Sequence, residues 1–210
     1  MLAWHGATDS AHPPLRGAAG EVAFLQRRIE GTSVRVGERM RVVPTQADLA
    51  PWGVLHFAAH ARSLEQSPWE SGLLCADSVS AAESPWLTAR RIAAMKLGAR
   101  LVCLSGCGTA SGRVRGGEGV MGLVSAFHSA GVPCVVASLW AVDDAATARL
   151  AEVFYERLLA GDSVAAALEA GRAALRADRE TAHPWYWAGF VVSGDGAQRI
   201  PLRARGFGSF

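Results

Sequence analysis

A histidine and a cysteine occupy equivalent places after two short apolar segments. The run 54–59 is followed at once by His60, and the run 100–105 is followed, two residues later, by Cys107. A thiolate is a good nucleophile, but it needs a base or a lowered pKa to form near neutral pH. An imidazole titrates close to that pH. Cys107 is therefore a candidate nucleophile, and His60 is the candidate for its general base.

Two glycines flank the cysteine. Gly106 and Gly108 permit a sharp turn that would expose the backbone N–H of Cys107 to a substrate carbonyl. Such N–H donors stabilise the oxyanion that develops during acyl transfer. A cysteine at the end of a strand is also commonly a small buried apolar residue, so spacing alone leaves both interpretations open.

The elements that must position these residues form an alternating pattern. Strands are predicted at 1–5, 34–36, 54–59, 72–76, 100–105, 133–140 and 187–193, and helices at 18–29, 87–96, 120–130, 143–159 and 163–177. Residues 37–52 are predicted to be irregular. Short apolar strands between helices are typical of an α/β domain whose mainly parallel sheet has helices on both faces. Catalysis in such sheets gathers at the carboxyl ends of the strands. Neighbouring strands lie about 4.8 Å apart, so His60 and Cys107 can share one crevice.

The composition limits the class of protein. The chain has 210 residues, of which 50% are hydrophobic and 19% charged, as in one globular domain. The net charge is only +2, and the arginines are scattered along the chain, which argues against a nucleic-acid-binding surface. No apolar run approaches the roughly 20 residues that span a bilayer, and no signal peptide is visible. Four cysteines do not make a disulfide framework, so we expect a reduced, cytoplasmic protein.

Other candidate residues have simpler interpretations. Cys103 shares a strand face with Cys107, but no second paired set of cysteines or histidines exists, so neither a metal nor a cofactor is predicted. His56 lies inside a predicted strand and is interpreted as a core residue. His128 and His183 remain alternative bases.

The segment after the nucleophile is rich in glycine. It lacks the lysine and hydroxyl of a phosphate-binding loop. Glu118 is expected to stabilise the helix that begins there. Arg113 and Arg115 are expected to be solvated residues, with self-cleavage as the alternative. Asp143 and Asp144 begin the helix predicted at 143–159, and helix capping explains at least one of them.

Several motifs together resemble the CHAT domain, a bacterial peptidase-like family related to caspases and separase. The segments are VLHFAAH (54–60), LSGCGT (104–109), GEGVMGL (117–123), SLWAVDDAAT (138–147), FY (154–155) and HPWYWAGF (183–190). The resemblance covers residues 15–196. It implies a caspase-like three-layer fold and a His–Cys dyad at His60 and Cys107. The oxyanion donors would be the backbone N–H groups of Ala61 and Cys107.

The resemblance also implies a specificity and a domain division. By similarity to separase, Asp144, or Asp143 as second choice, receives an arginine or lysine side chain of a protein substrate. Ala61 stands where the family has glycine, and Gly108 where it has an acidic residue. The expected units are a remnant strand and loop (1–17), the peptidase domain (18–196) and a loose tail (197–210). The alternative function is an inactive interaction module, and a helical-repeat protein is the expected regulatory partner.

Overall fold

A six-stranded sheet forms the centre of the domain. The computed structural model describes residues 1–8, 12–37, 42–64, 66–77, 84–105 and 118–206. The strands are β1 (Leu2–His5), β2 (Ser33–Val36), β3 (Val54–Ala58), β7 (Leu101–Ser105), β8 (Cys134–Ser138) and β9 (Phe190–Gly194). Their order is β2-β1-β3-β7-β8-β9. All neighbouring pairs are parallel except β8 with β9. The mainly parallel sheet is therefore as predicted.

Six helices surround this sheet in the described part of the chain. They are α1 (Arg16–Arg28), α2 (Gln46–Leu49), α3 (Ala89–Ala93), α4 (Glu118–Ser129), α5 (Asp144–Leu159) and α6 (Val164–Ala177). Of these, none is both long enough and apolar enough to cross a membrane. The side chain of Asp143 accepts a hydrogen bond from the Ala146 N–H at the start of α5, and Ser163 does the same for α6. Both helices begin where the sequence predicts them.

Alternating side chains of the strands build two cores. On β3, Leu55 and Phe57 belong to the core that includes α3 and α4. Val54 and Ala58 belong to the opposite core, with α1, α5 and α6. A strand exposes successive side chains on opposite faces, so helices on both faces bury it completely. This arrangement confirms the three-layer fold.

A second, smaller sheet lies beside the first and corrects one prediction. It consists of β4 (Ala61–Arg62), β5 (Gly72–Leu74) and β6 (Trp86–Thr88). The predicted helix at 87–96 is wrong in its first residues, because Leu87 pairs with Leu73 of β5. Thr88 nevertheless caps α3 as expected, accepting from the Arg91 N–H at 3.3 Å.

Two further differences concern segments predicted to be irregular. Helix α2 lies within residues 37–52, and Thr45 and Asp48 form a capping box at its start.

The C-terminal tail is predicted to be loose, and this prediction is wrong for the described part of the tail. Ile200 is only 5% exposed, and the Glu30 N–H donates to the carbonyl of Arg203. An apolar side chain that fills the α1–α5–α6 core holds this segment against the domain.

Candidate functional site

The two strands that precede the predicted dyad are direct neighbours. In the β3–β7 pair, Ala58 lies opposite Ser105, and the Ala59 N–H donates to the Ser105 carbonyl at 3.1 Å. His60 follows Ala58 by two residues, and Cys107 follows Ser105 by two residues. The two strands therefore end side by side at the carboxyl edge of the sheet, two residues before His60 and two residues before Cys107.

Part of the predicted site lies outside the described residues. This applies to Cys107 and to its flanking residues Gly106 and Gly108. It also applies to Arg113 and Arg115. The role of each of these residues stays a prediction from the sequence.

The imidazole of His60 has a defined orientation. The side chain is only 4% exposed, and its Nε2 lies 2.7 Å from the carbonyl oxygen of Pro13. A carbonyl oxygen can only accept, so Nε2 must carry the proton. In the neutral ring, the lone pair is then on Nδ1. The hydrogen bond thus selects the tautomer of His60.

A second imidazole lies against the first. The ring centroids of His12 and His60 are 5.3 Å apart. The same His12 ring meets Trp86 of β6 edge-on, also at 5.3 Å. The His12 ring therefore contacts both the His60 ring and the small sheet.

The backbone of Ala61 is directed away from β5. The Leu74 N–H donates to the His60 carbonyl at 2.9 Å, and Ala61 is the next residue, opposite Leu73. Positions in an antiparallel pair alternate between those bonded to the partner strand and those whose N–H points outward. Ala61 is at an outward position, on the edge strand of the small sheet. Its N–H therefore points away from β5.

The two aspartates after β8 have different structural roles. Asp143 caps α5 through its Oδ1, 3.0 Å from the Ala146 nitrogen. The carboxylate of Asp144 accepts a hydrogen bond from the Gly17 N–H, in the first turn of α1. Leu15, the residue that caps α1, makes no side-chain bond there, so Asp144 supplies the missing acceptor. The capping interpretation is confirmed for Asp143, and Asp144 joins α5 to α1.

One surface groove brings the described site residues together. It encloses about 520 Å³ and is open to solvent. Its walls are Pro13, Pro14, Leu15, Gly17, His60, Asp143, Asp144 and Ala145. The candidate base and both candidate specificity residues therefore face one space, although they are more than 80 residues apart in the sequence.

The remaining histidines have other partners. His56 is 1% exposed, and its Nδ1 lies 3.0 Å from the Tyr155 hydroxyl, which confirms the core interpretation. The Nδ1 of His128 lies 2.8 Å from the Val132 carbonyl. His183 accepts from the Trp185 N–H at the start of a 3-10 turn. Neither His128 nor His183 lines the groove that contains His60.

Three of the four cysteines are buried free thiols. Burial raises the pKa of Cys75 and Cys103 far above the ordinary value, and it raises the pKa of Cys134 to about 11. Their thiolates are therefore scarce near neutral pH. Within the described ranges, no three His, Cys, Asp or Glu side chains are arranged to hold a metal ion.

Sequence reasoning missed two contributors to this region. Pro13 acts through a backbone carbonyl, for which no side-chain pattern exists. Glu21 is a carboxylate on the apolar face of α1, and Ala18 and Leu25 on the same face are buried. An acidic residue at that helical spacing was a detectable signal, because charged side chains are seldom fully buried without a partner.

The fold and the groove define a caspase-like α/β domain with a histidine at the carboxyl edge of its sheet. A sequence profile of the CHAT domain matches residues 4–195. The chain belongs to the CHAT domain family, whose domain is caspase-like and peptidase-related.

Two curated relatives match a part of the chain. Tetratricopeptide repeat protein 28 of Mus musculus is 36% identical over 108 residues, which are 51% of this chain and 4% of that protein. The protein of the same name from Homo sapiens is 35% identical over 108 residues, with the same coverage. The match therefore spans only about 4% of these relatives.

Proposed function

We propose that this domain is a cysteine endopeptidase that cleaves proteins after a basic residue. Cys107 is the nucleophile and His60 the base. The observation that carries the proposal is the β3–β7 register, which aligns Ala58 with Ser105 and so leads the chain to both residues at one edge. The groove beside His60 gives an extended peptide a place to lie.

The tautomer of His60 suits this role. Nδ1 accepts the thiol proton, and the thiolate of Cys107 attacks the scissile carbonyl carbon to form a tetrahedral intermediate. The resulting imidazolium gives its proton to the leaving amine, and a thioester remains. Water then attacks the thioester with His60 again as base, which releases the acid and the free thiol. Throughout, the Pro13 carbonyl accepts from Nε2 and stabilises the charged ring.

The oxyanion would be held by two backbone N–H groups. Ala61 contributes one, since its position on the edge strand directs it away from β5. Cys107 contributes the other. Ala61 replaces the family's glycine, and the residue is 5% exposed and belongs to one of the two cores.

The groove supplies the basis of the specificity. Asp144 uses one carboxylate oxygen for the Gly17 N–H. A carboxylate has a second oxygen that can accept from a guanidinium or ammonium group. Asp143 lines the same space and is the second candidate, although its Oδ1 already caps α5. A basic side chain entering here would meet two negative charges.

Covalent labelling tests this proposal. The protein is incubated with an acyloxymethyl ketone that ends in arginine, and the modified residue is located by mass spectrometry. We expect one label, on Cys107, which is lost in Cys107→Ala and His60→Ala. Cys75→Ala is the matched control, because that thiol is buried. The absence of His60-dependent labelling in the presence and absence of candidate partners would refute the proposal.

A second candidate function is a non-catalytic interaction module with the same fold. It is favoured by the relatives, whose name describes tetratricopeptide repeats, a structural unit used in protein–protein binding. The module predicts that His60→Ala and Cys107→Ala leave every interaction of the domain intact. The peptidase predicts instead that Cys107→Ala traps substrates that the active protein releases.

A helical-repeat protein is the partner we propose. Tetratricopeptide repeats are pairs of helices that stack into extended binding surfaces. The relatives join such repeats to a segment similar to this chain, as their name and the 108 matched residues indicate. Purification of tagged protein from its host, followed by mass spectrometry, tests the idea. Recovery of substrate proteins without any repeat protein would count against it.

A further inference from the structure

A buried polar cluster lies directly beneath the strand ends. The Ser105 hydroxyl donates to Glu21 Oε2 at 2.8 Å. The other carboxylate oxygen, Oε1, lies 3.2 Å from Nε2 of His56, without the alignment of a hydrogen bond. On the far side of the His56 ring, the Tyr155 hydroxyl lies 3.0 Å from Nδ1. These four residues connect α1, β3, β7 and α5.

The burial of Glu21 makes its contacts costly to lose. The residue is 2% exposed, and an uncompensated carboxylate at such a place would be strongly unfavourable. Burial also raises the pKa of Tyr155 well above its ordinary value, so the phenol stays protonated beside His56. The cavity at this cluster measures about 20 Å³, which is room for about one water molecule. A substrate cannot enter it, so the cluster can influence a reaction only through position.

The contacts of Ser105 show which part of the chain Glu21 holds in place. Ser105 is the last residue of β7, two residues before Cys107. Its carbonyl receives the Ala59 N–H, one residue before His60. Glu21 therefore holds the residue through which the two strand ends are joined. Glu21 lies on α1, and the chain just before this helix also supplies the Pro13 carbonyl that orients the His60 ring.

We infer that Glu21 is a positioning residue for the His60–Cys107 pair. Its carboxylate fixes the carboxyl end of β7 against that of β3 by accepting from Ser105. The inference depends on the proposed function for its catalytic consequence. The physical contact that it requires can be measured separately.

A double-mutant cycle isolates this role. Glu21→Met keeps the length of the side chain and removes the acceptor, while Ser105→Ala removes the donor. Glu21→Gln keeps an acceptor oxygen without the charge. Glu30→Met, at an exposed position just beyond α1, is the matched control. Two quantities are measured on each folded variant: the rate of Cys107 labelling by the arginyl ketone, and the amide hydrogen exchange of Ala59 by NMR.

We expect Glu21→Met and Ser105→Ala each to slow labelling on the order of tenfold, because a small displacement of reacting groups is costly. The double variant should be no slower than either single variant. Glu21→Gln should cost no more than about threefold, since it still accepts from Ser105. Amide exchange at Ala59 should accelerate in Glu21→Met and Ser105→Ala but not in Glu30→Met.

Other outcomes overturn the inference. Additive slowing in the double variant, an equal loss in Glu21→Gln, or unchanged labelling in Ser105→Ala would each contradict it. If the wild-type protein shows no His60-dependent labelling, the proposed function fails, and the exchange of Ala59 decides the positioning role alone. An unchanged Ala59 exchange rate in Ser105→Ala, the milder substitution, then refutes it.

Discussion

The imidazole of His60 donates a hydrogen bond to the carbonyl oxygen of Pro13 over 2.7 Å. The contact joins residues 47 positions apart, and it determines which ring nitrogen carries the hydrogen in the neutral ring. That carbonyl belongs to the peptide bond with Pro14, whose ring restricts the conformation of the residue before it. Two consecutive prolines therefore hold the acceptor in place without a side-chain contact.

Replacement of Pro14 should weaken this orientation. In Pro14→Ala, the Pro13 carbonyl gains freedom, and we expect labelling of Cys107 to slow by about threefold to tenfold. Thermal stability should change little, because Pro14 is exposed. Pro201→Ala, another exposed proline, is the control. An unchanged labelling rate in Pro14→Ala would show that the carbonyl does not need this restraint.

Substitution of Asp144 should change selectivity. Asp144→Asn keeps an acceptor for the Gly17 N–H but removes the charge offered to a substrate. We expect the preference for an arginyl probe over its neutral citrulline counterpart to fall by at least about tenfold. Asp162→Asn, whose carboxylate pairs with Arg157 outside the groove, should leave the preference intact. If Asp143→Asn abolishes the preference and Asp144→Asn does not, the roles of the two aspartates are reversed.

Two glycines of α1 should respond in opposite directions to alanine. A Cβ atom at Gly17 would lie 2.5 Å from the backbone oxygen of Asp144, whereas at Gly20 it would meet nothing within 4 Å. Gly17→Ala should destabilise the protein by more than about 1 kcal/mol, since backbone must move. Gly20→Ala should stabilise it by about 0.5–1 kcal/mol through helix propensity. Denaturant unfolding measures both, and equal effects would contradict the close α1–α5 contact.

Native alkylation should distinguish the cysteines. The raised pKa values of Cys75, Cys103 and Cys134 keep these groups as thiols at pH 8, and burial hinders access to them. Iodoacetamide should therefore add no more than one group to the folded protein, at Cys107, and four groups after unfolding. For Cys134, with its pKa of about 11, modification should appear only as the pH approaches that value. Rapid native alkylation of Cys103 at pH 8 would contradict the described packing.

The parts predictable from the sequence are those set by local patterns. Apolar runs identified β3 and β7, and a short polar side chain before each helix identified the starts of α5 and α6. The contact of His60 with Pro13 could not be predicted, because a backbone carbonyl leaves no mark on the sequence. The local pattern places Leu87 in a helix. Its pairing with Leu73 in a strand depends on tertiary structure, which the local sequence does not show. Likewise, the tail is ordered by the burial of Ile200 in a distant core.

The chemical partnership of His60 and Cys107 is tested most directly by the rate of Cys107 labelling as a function of pH. The arginyl acyloxymethyl ketone is used with the wild-type protein and with His60→Ala. We predict that the wild-type protein is labelled near neutral pH, and that His60→Ala slows this reaction by at least about a hundredfold, as expected for loss of a general base. Identical pH–rate profiles for the two proteins, or labelling at a cysteine other than Cys107, would contradict it.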